Sequence, residues 1–223
     1  MFVRALAALT AFSFLVPAAP AAAQPLPADV ITIGTVSTSG NTVDVPVFIR
    51  DVSGTPLGID QAPGSRIQAY SIKVDYAPTP AVQSVTFTRA GITAGLTPVS
   101  EFTPVSPGSI TLIDVFNEGT DLIPFVSNAP APGNQVAVLH FTLSPAATPG
   151  TVIALTLDST ALTQLSNQSG TSAETVQGGD LTLVNGSITV TAPAVPSAPV
   201  PTAGQWGLIV LGLGLAAIGY RIL

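Results

Sequence analysis

The chain predicts an all-β fold, a jelly-roll β-sandwich of about nine strands, with an N-terminal signal peptide and one C-terminal transmembrane helix. Three observations predict the sandwich. Apolar residues between Val30 and Val190 recur with a period of two. No helical stripe outlasts a single turn there. Clusters of Gly, Pro, Asn and Ser break the alternation at short intervals, as turns between short strands do.

Val30 to Val36 reads as a first apolar strand. Asn41 to Arg50 alternates cleanly: Val43, Val45, Val47 and Ile49 share one face, while Thr42, Asp44, Pro46 and Phe48 take the other. Pro46 donates no ladder bond, so this strand is expected at a sheet edge or with a bulge. A loop rich in Gly and Pro, Asp51 to Ser65, precedes a strand over Arg66 to Tyr76, in which Tyr70, Ile72 and Tyr76 share a face. Ala77-Pro-Thr-Pro80 ends it. Ala81 to Arg89, Ser109 to Phe116, Gln135 to Leu143 and Thr151 to Leu157 are further strands. Leu181 to Val190 reads as a hairpin around Asn185-Gly186.

The two ends are different in kind. Arg4 begins a basic-then-apolar stretch that closes on Ala21-Ala-Ala23, the anatomy of a secretory signal peptide over residues 1–23. The sandwich is expected over 24–190, and Pro- and Ala-rich residues 191–200 read as a semi-rigid linker. From Trp206 to Leu223 the chain is apolar apart from Arg221. As a helix this stretch is roughly 27 Å long, enough for a thin bilayer, with Trp206 at one interface. Arg221 stays on the cytoplasmic side, leaving the upstream chain outside.

Charge narrows the function further. Between the two ends, Arg50, Arg66, Lys73 and Arg89 are the cations facing all 12 carboxylates of the sequence. Such a surface repels phosphate backbones, which argues against nucleic acid as a partner. The sequence has no cysteine, so disulfides, thiol chemistry and thiolate-bound metal are excluded.

The C-terminal residues Pro201-Thr202, Trp206-Gly207, the apolar run and Arg221 resemble the Ile-Pro-Thr-Leu type of bacterial C-terminal sorting signal over 201–223. That family is recognised by exosortase-like membrane enzymes. The resemblance implies a Gram-negative envelope protein held at the inner membrane facing the periplasm, or passed to the cell surface after cleavage by a sorting protease. The body of the chain is similar to cohesin modules, which are related to carbohydrate-binding modules. The similarity rests on Val43-Asp-Val-Pro-Val47, Ile67-Gln-Ala-Tyr-Ser-Ile-Lys-Val-Asp-Tyr-Ala-Pro78, Gly108-Ser-Ile-Thr-Leu112, Val136-Ala-Val-Leu-His-Phe141 and Asn185-Gly-Ser-Ile-Thr-Val190. It implies a nine-stranded jelly roll that acts by protein–protein adhesion, often to a dockerin partner.

Catalysis finds little support in the sequence. His140 is the single histidine, it sits mid-strand, and no Gly-x-Ser-x-Gly elbow occurs. An oxygen-rich stretch around Gly119, with Asp114, Asn117, Glu118 and Asp121, supplies calcium-type ligands without the spacing of a twelve-residue EF-hand loop. Apart from that calcium, no cofactor is expected. The expected activity is non-catalytic binding, and the resemblance to cohesins implies that it uses one flat sheet face, with a small apolar centre and a polar rim. The candidates are outward residues of the strands Arg66 to Tyr76 and Ser109 to Phe116, with Tyr70, Ile72 and Tyr76 as one candidate face. Two alternatives share the architecture: a carbohydrate-binding module, in which Tyr70, Tyr76 and Phe48 would stack on sugars, and a structural matrix protein.

Overall fold

The computed structural model describes residues 27–194. The signal peptide expected over 1–23, the sorting segment over 201–223 and most of the linker lie outside the described residues. Among those residues no helix is long and apolar enough to cross a membrane.

Among the described residues, fourteen strands make two sheets. The first, five-stranded, contains β1 (Asp29–Ile33), β3 (Thr42–Arg50), β5 (Val82–Arg89), β9 (Asn134–Leu143) and β13 (Leu181–Val184), in the order β13-β1-β3-β9-β5. The second holds β2 (Thr35–Thr38), β4 (Ala69–Ala77), β6 (Pro98–Phe102), β7 (Val105–Ser106), β8 (Ser109–Phe116), β10 (Val152–Leu157), β11 (Gln164–Ser166), β12 (Ala173–Thr175) and β14 (Gly186–Val190). Here β4 is central: it pairs with β8, with β10 through Val74 to Ala77, and with β11 through Ala69 to Ser71. Two single 3-10 turns, Thr79–Ala81 and Gly91–Thr93, are the helical elements described.

The count exceeds the expected nine for two reasons. Short strands such as β6, β7, β11 and β12 carry too little apolar alternation to announce themselves. In addition, two apparently continuous strands change sheets. The chain leaves the first sheet at Gly34 and continues in the second as β2; it does the same at Asn185, between β13 and β14. The hairpin expected around Asn185-Gly186 is therefore corrected: its two arms lie in opposite sheets. Leu181 on one arm and Ile188 and Val190 on the other are all buried, and a flat hairpin between neighbouring strands would not bring both arms onto one core from opposite sides. Asn185 Oδ1 accepts the Leu157 N–H at 2.9 Å, which fixes the crossing.

The two crossings lie side by side, with β1 parallel to β13 and β2 parallel to β14. A Cβ on Gly186 would stand 2.3 Å from the Gly34 carbonyl oxygen and 2.7 Å from that of Ile33. One on Gly34 would meet the Pro46 ring at 2.8 Å. Pro46 itself lies in an interior strand rather than at an edge, and the bulge falls beside it, between Val47 and Phe48. No ladder partner from β1 is needed there, because β1 pairs with β3 only as far as Ile33 opposite Val47.

The core fills the space between the sheets. Ile31, Ile33, Val45, Val47, Ile49, Leu139 and Phe141 face Tyr70, Ile72, Val74, Ile110, Leu112, Phe116, Ile153 and Leu155. Tyr76 meets Phe141 edge-to-face across the two layers, ring centroids 5.8 Å apart.

Candidate functional site

Residues directly opposite one another in a ladder share a face, so the register defines which side chains look outward. On the second sheet the pairings Phe102–Ile113, Ile113–Ser71, Ser71–Gln164 and Gln164–Thr175 form one outward row across five strands. A neighbouring row runs Ser100–Val115–Ala69–Ser166–Ala173. Phe102 is 61% exposed and Leu162 53% exposed. Leu162 is held beside the first row by the Ser71 hydroxyl, which donates to its carbonyl at 2.7 Å. Half-buried Ile113 and Val115 are the apolar residues of these two rows next to the outermost strand that carries Phe102.

The rim is polar. Lys73 Nζ lies 2.6 Å from Asp158 Oδ2 and 3.6 Å from Asp75 Oδ1. Its hydrogen bond holds the Asp158 carboxyl down at about 2, with help from Thr160, and raises the Lys73 ammonium. At neutral pH both ions are charged, and the rim offers a tethered ion pair rather than a free cation.

Tyr70, Ile72 and Tyr76, the face expected from the alternation, point the other way. They are 1%, 0% and 7% exposed and lie in the core. The three carry most of the apolar area of β4, and burial against the opposite sheet outweighs any use on the surface. Their neighbours Ser71, Lys73 and Asp75 are the outward residues of the same strand. The aromatic sugar platform built from Tyr70 and Tyr76 is lost with this correction.

Beneath the face, Tyr70 donates a 2.5 Å hydrogen bond to Asp114 Oδ2. Burial pushes the Asp114 carboxyl up to about 6, against the lowering effect of the tyrosine hydroxyl. The folded chain therefore holds this proton more tightly than the unfolded one. The contribution is complete below the ordinary carboxylate range and is lost as pH rises through about 6. Tyr70→Phe removes the donor while keeping the ring, and is expected to cost about 1–3 kcal/mol. The loss should be larger at pH 8 than at pH 5, read from urea unfolding midpoints, because the ionised Asp114 is then left without its donor.

The four residues expected to bind calcium do not converge. Asp114 is inside the sandwich with Tyr70. Asn117 Oδ1 accepts the Gly119 N–H at 2.8 Å, and both Glu118 oxygens accept the Gly64 N–H at 2.9 Å. Asp121 accepts the Thr97 N–H at 3.0 Å. Asn117, Glu118 and Asp121 each accept from a different backbone amide, while Asp114 points into the core. Among the described residues no three acidic or histidine side chains are arranged to hold a metal ion.

His140 stands on the outer face of the other sheet. Its Nδ1 lies 2.7 Å from Asp44 Oδ1 and its Nε2 2.8 Å from the Thr88 hydroxyl, which ties β3, β9 and β5 together. The order carboxylate, imidazole, hydroxyl is that of a hydrolytic triad, yet these groups lie on an open sheet face where Asp44 is 71% exposed. Water there screens the very charges a triad needs to concentrate.

Sequence reasoning missed Phe102 and Leu162. Val99-Ser-Glu-Phe102 does not alternate, and the Ser106-Pro-Gly108 turn between it and Ser109 to Phe116 was the available sign of an edge strand against β8.

Comparison with solved structures settles the architecture. The chain superposes on the sixth cohesin of scaffoldin B from Acetivibrio cellulolyticus, solved in complex with a mutant Cel5 dockerin. The TM-score is 0.50 at 13% identity, covering 73% of this chain and 99% of that one. A type III cohesin module from the cell-surface anchoring scaffoldin ScaE of Ruminococcus flavefaciens gives 0.50 at 9% identity, covering 75% and 90%. The fold is cohesin-like. At the C-terminus, residues 198–223 match the IPTL-CTERM motif, which contains Pro201, Thr202, Trp206, Gly207 and Arg221. No curated protein matches the chain. The cohesin-like sandwich and the terminal sorting motif are the two halves that the sequence resemblances implied.

Proposed function

We propose that this chain is an exported, non-catalytic adhesion module that seats a protein partner on the outer face of its second sheet. The observation that carries the reading is the outward row from Phe102 through Ile113 to Thr175, an apolar patch at Phe102 and Ile113 bordered by polar Ser71, Gln164 and Thr175 across five strands. Apolar centres ringed by polar residues are the anatomy of protein interfaces. That a solved cohesin of the same fold is in complex with a dockerin supports a dockerin-like protein as the partner. The motif at 198–223 supports delivery to the envelope: a signal peptide directs export, the terminal helix holds the chain at the membrane, and a sorting protease then acts near Pro201-Thr202.

The test uses the immobilised chain and the secreted and envelope proteins of cells that produce it. Ile113→Asp buries a charge at the centre of the interface and is expected to lower retention of the bound protein at least tenfold. His140→Ala, on the opposite sheet, is expected to leave it unchanged. Equal retention by Ile113→Asp and the parent would sink the assignment of the face, and retention of insoluble polysaccharide instead of protein would move the function to carbohydrate binding.

A further inference from the structure

Two carboxyls are buried together at one end of the sandwich. Asp29 opens β1, Glu174 lies in β12, and both are 0% exposed. They lie within hydrogen-bond reach of each other. Each also grips the loop after β3. Asp29 Oδ1 accepts the Val52 N–H at 2.7 Å and the Thr55 hydroxyl at 3.3 Å, and Glu174 Oε1 accepts the Leu57 N–H at 2.7 Å. The second oxygen of each, Asp29 Oδ2 and Glu174 Oε2, has no donor.

The charged groups around the pair are acidic. Asp51 at the end of β3 acts on Asp29, and Asp180 just before β13 acts on Glu174. Asp60 in the loop acts on Asp51. Two ionised carboxylates in contact, with no cation against them, are a costly arrangement in a dry interior. One proton between the two orphan oxygens removes the cost and supplies the missing donor.

We propose that Asp29 and Glu174 share a single proton, and that this acid pair is a latch clamping the loop Val52–Leu57 between the first strand and the rim strand β12. The latch opens when the proton leaves to solvent: the two carboxylates then repel, and the loop loses its anchor on one side. Burial, reinforced by Glu174, pushes the Asp29 carboxyl from 3.8 up to about 9. Burial likewise raises Glu174. The folded chain thus keeps a proton that the unfolded chain releases. The stabilisation is complete below the ordinary carboxylate range and is lost as pH rises toward about 9. Asp51 is raised as well, chiefly by burial, and acts with the same sign, so the pair must be isolated by substitution.

The experiment follows unfolding midpoints of the full chain from about pH 5 to about pH 9.5. In Asp29→Asn an amide N–H takes the place of the shared proton while the other oxygen still accepts from Val52. This variant should be flatter with pH than the parent. Its folding constant relative to the parent should rise by up to tenfold per pH unit between the ordinary carboxylate range and about 9, where the unfolded parent has released the proton that the folded parent still holds. Glu174→Gln should behave alike. The double variant sets two amide donors against each other and should be less stable than either single one at every pH. Equal pH slopes for the parent and Asp29→Asn, or a double variant as stable as the singles, would overturn the latch. So would an alkaline parent restored by millimolar calcium chloride, because the carboxylates would then be bridged by a cation rather than a proton.

Discussion

Gly186→Ala is expected to cost at least about 2–3 kcal/mol, a large share of the stability of a domain this size. The added methyl has nowhere to go. Its nearest neighbours are two backbone carbonyl oxygens at 2.3 and 2.7 Å, which belong to the other sheet-crossing and cannot rotate aside as a side chain would. Relief requires β2 and β14 to separate, and their parallel pairing joins the two crossings. Urea unfolding should show a lower midpoint with an unchanged slope. Gly40→Ala is the matched control: the nearest atom to its Cβ is a threonine hydroxyl at 3.7 Å, and the midpoint should scarcely move.

Phe141→Ala is the second large effect, expected at about 3–5 kcal/mol from lost transfer energy plus the cavity left behind. Phe141 is 1% exposed, sits mid-strand in β9 and reaches across to Tyr76 of β4, so its removal weakens the contact between layers rather than within one. The edge-to-face geometry adds a pairwise share. A double-mutant cycle with Tyr76→Leu should return a coupling of about 0.5–1.5 kcal/mol. A coupling near zero would mean that the rings touch without favouring each other.

These two positions show how unevenly the sequence reveals the fold. Val45, Val47 and Ile49 could be placed in the core from alternation alone, because a half-buried strand has only two faces and the core takes the greasier one. The same reasoning failed on β4. Its two faces read Tyr70-Ile72-Tyr76 and Ser71-Lys73-Asp75, and a binding surface also favours aromatics, so the pattern alone did not say which use the tyrosines serve. Gly186 read as an ordinary turn residue and Gly34 as part of a continuous strand. Their role depends on what approaches from the other sheet, which is a property of long-range packing and leaves no mark on the neighbouring residues. Phe102 was hidden for a related reason: an edge strand with few buried residues has no alternation to read, and only its pairing with β8 places it on the apolar face. Legibility therefore followed burial. Where a segment owes its position to the core it could be read, and where it owes it to a neighbouring strand it could not.

The parallel pairing of β14 with β2 has a mechanical side. The described chain runs out of β14 at Val190, and Thr191 is still bonded to Thr38 through its N–H and its hydroxyl. A load drawn along the tail from this point pulls lengthwise on β14, which is flanked by β10 on one edge and β2 on the other. The rungs on both edges are strained together in shear, instead of being peeled open one after another. A module hung by its tail while a partner tugs at its flat face would be gripped at its toughest seam.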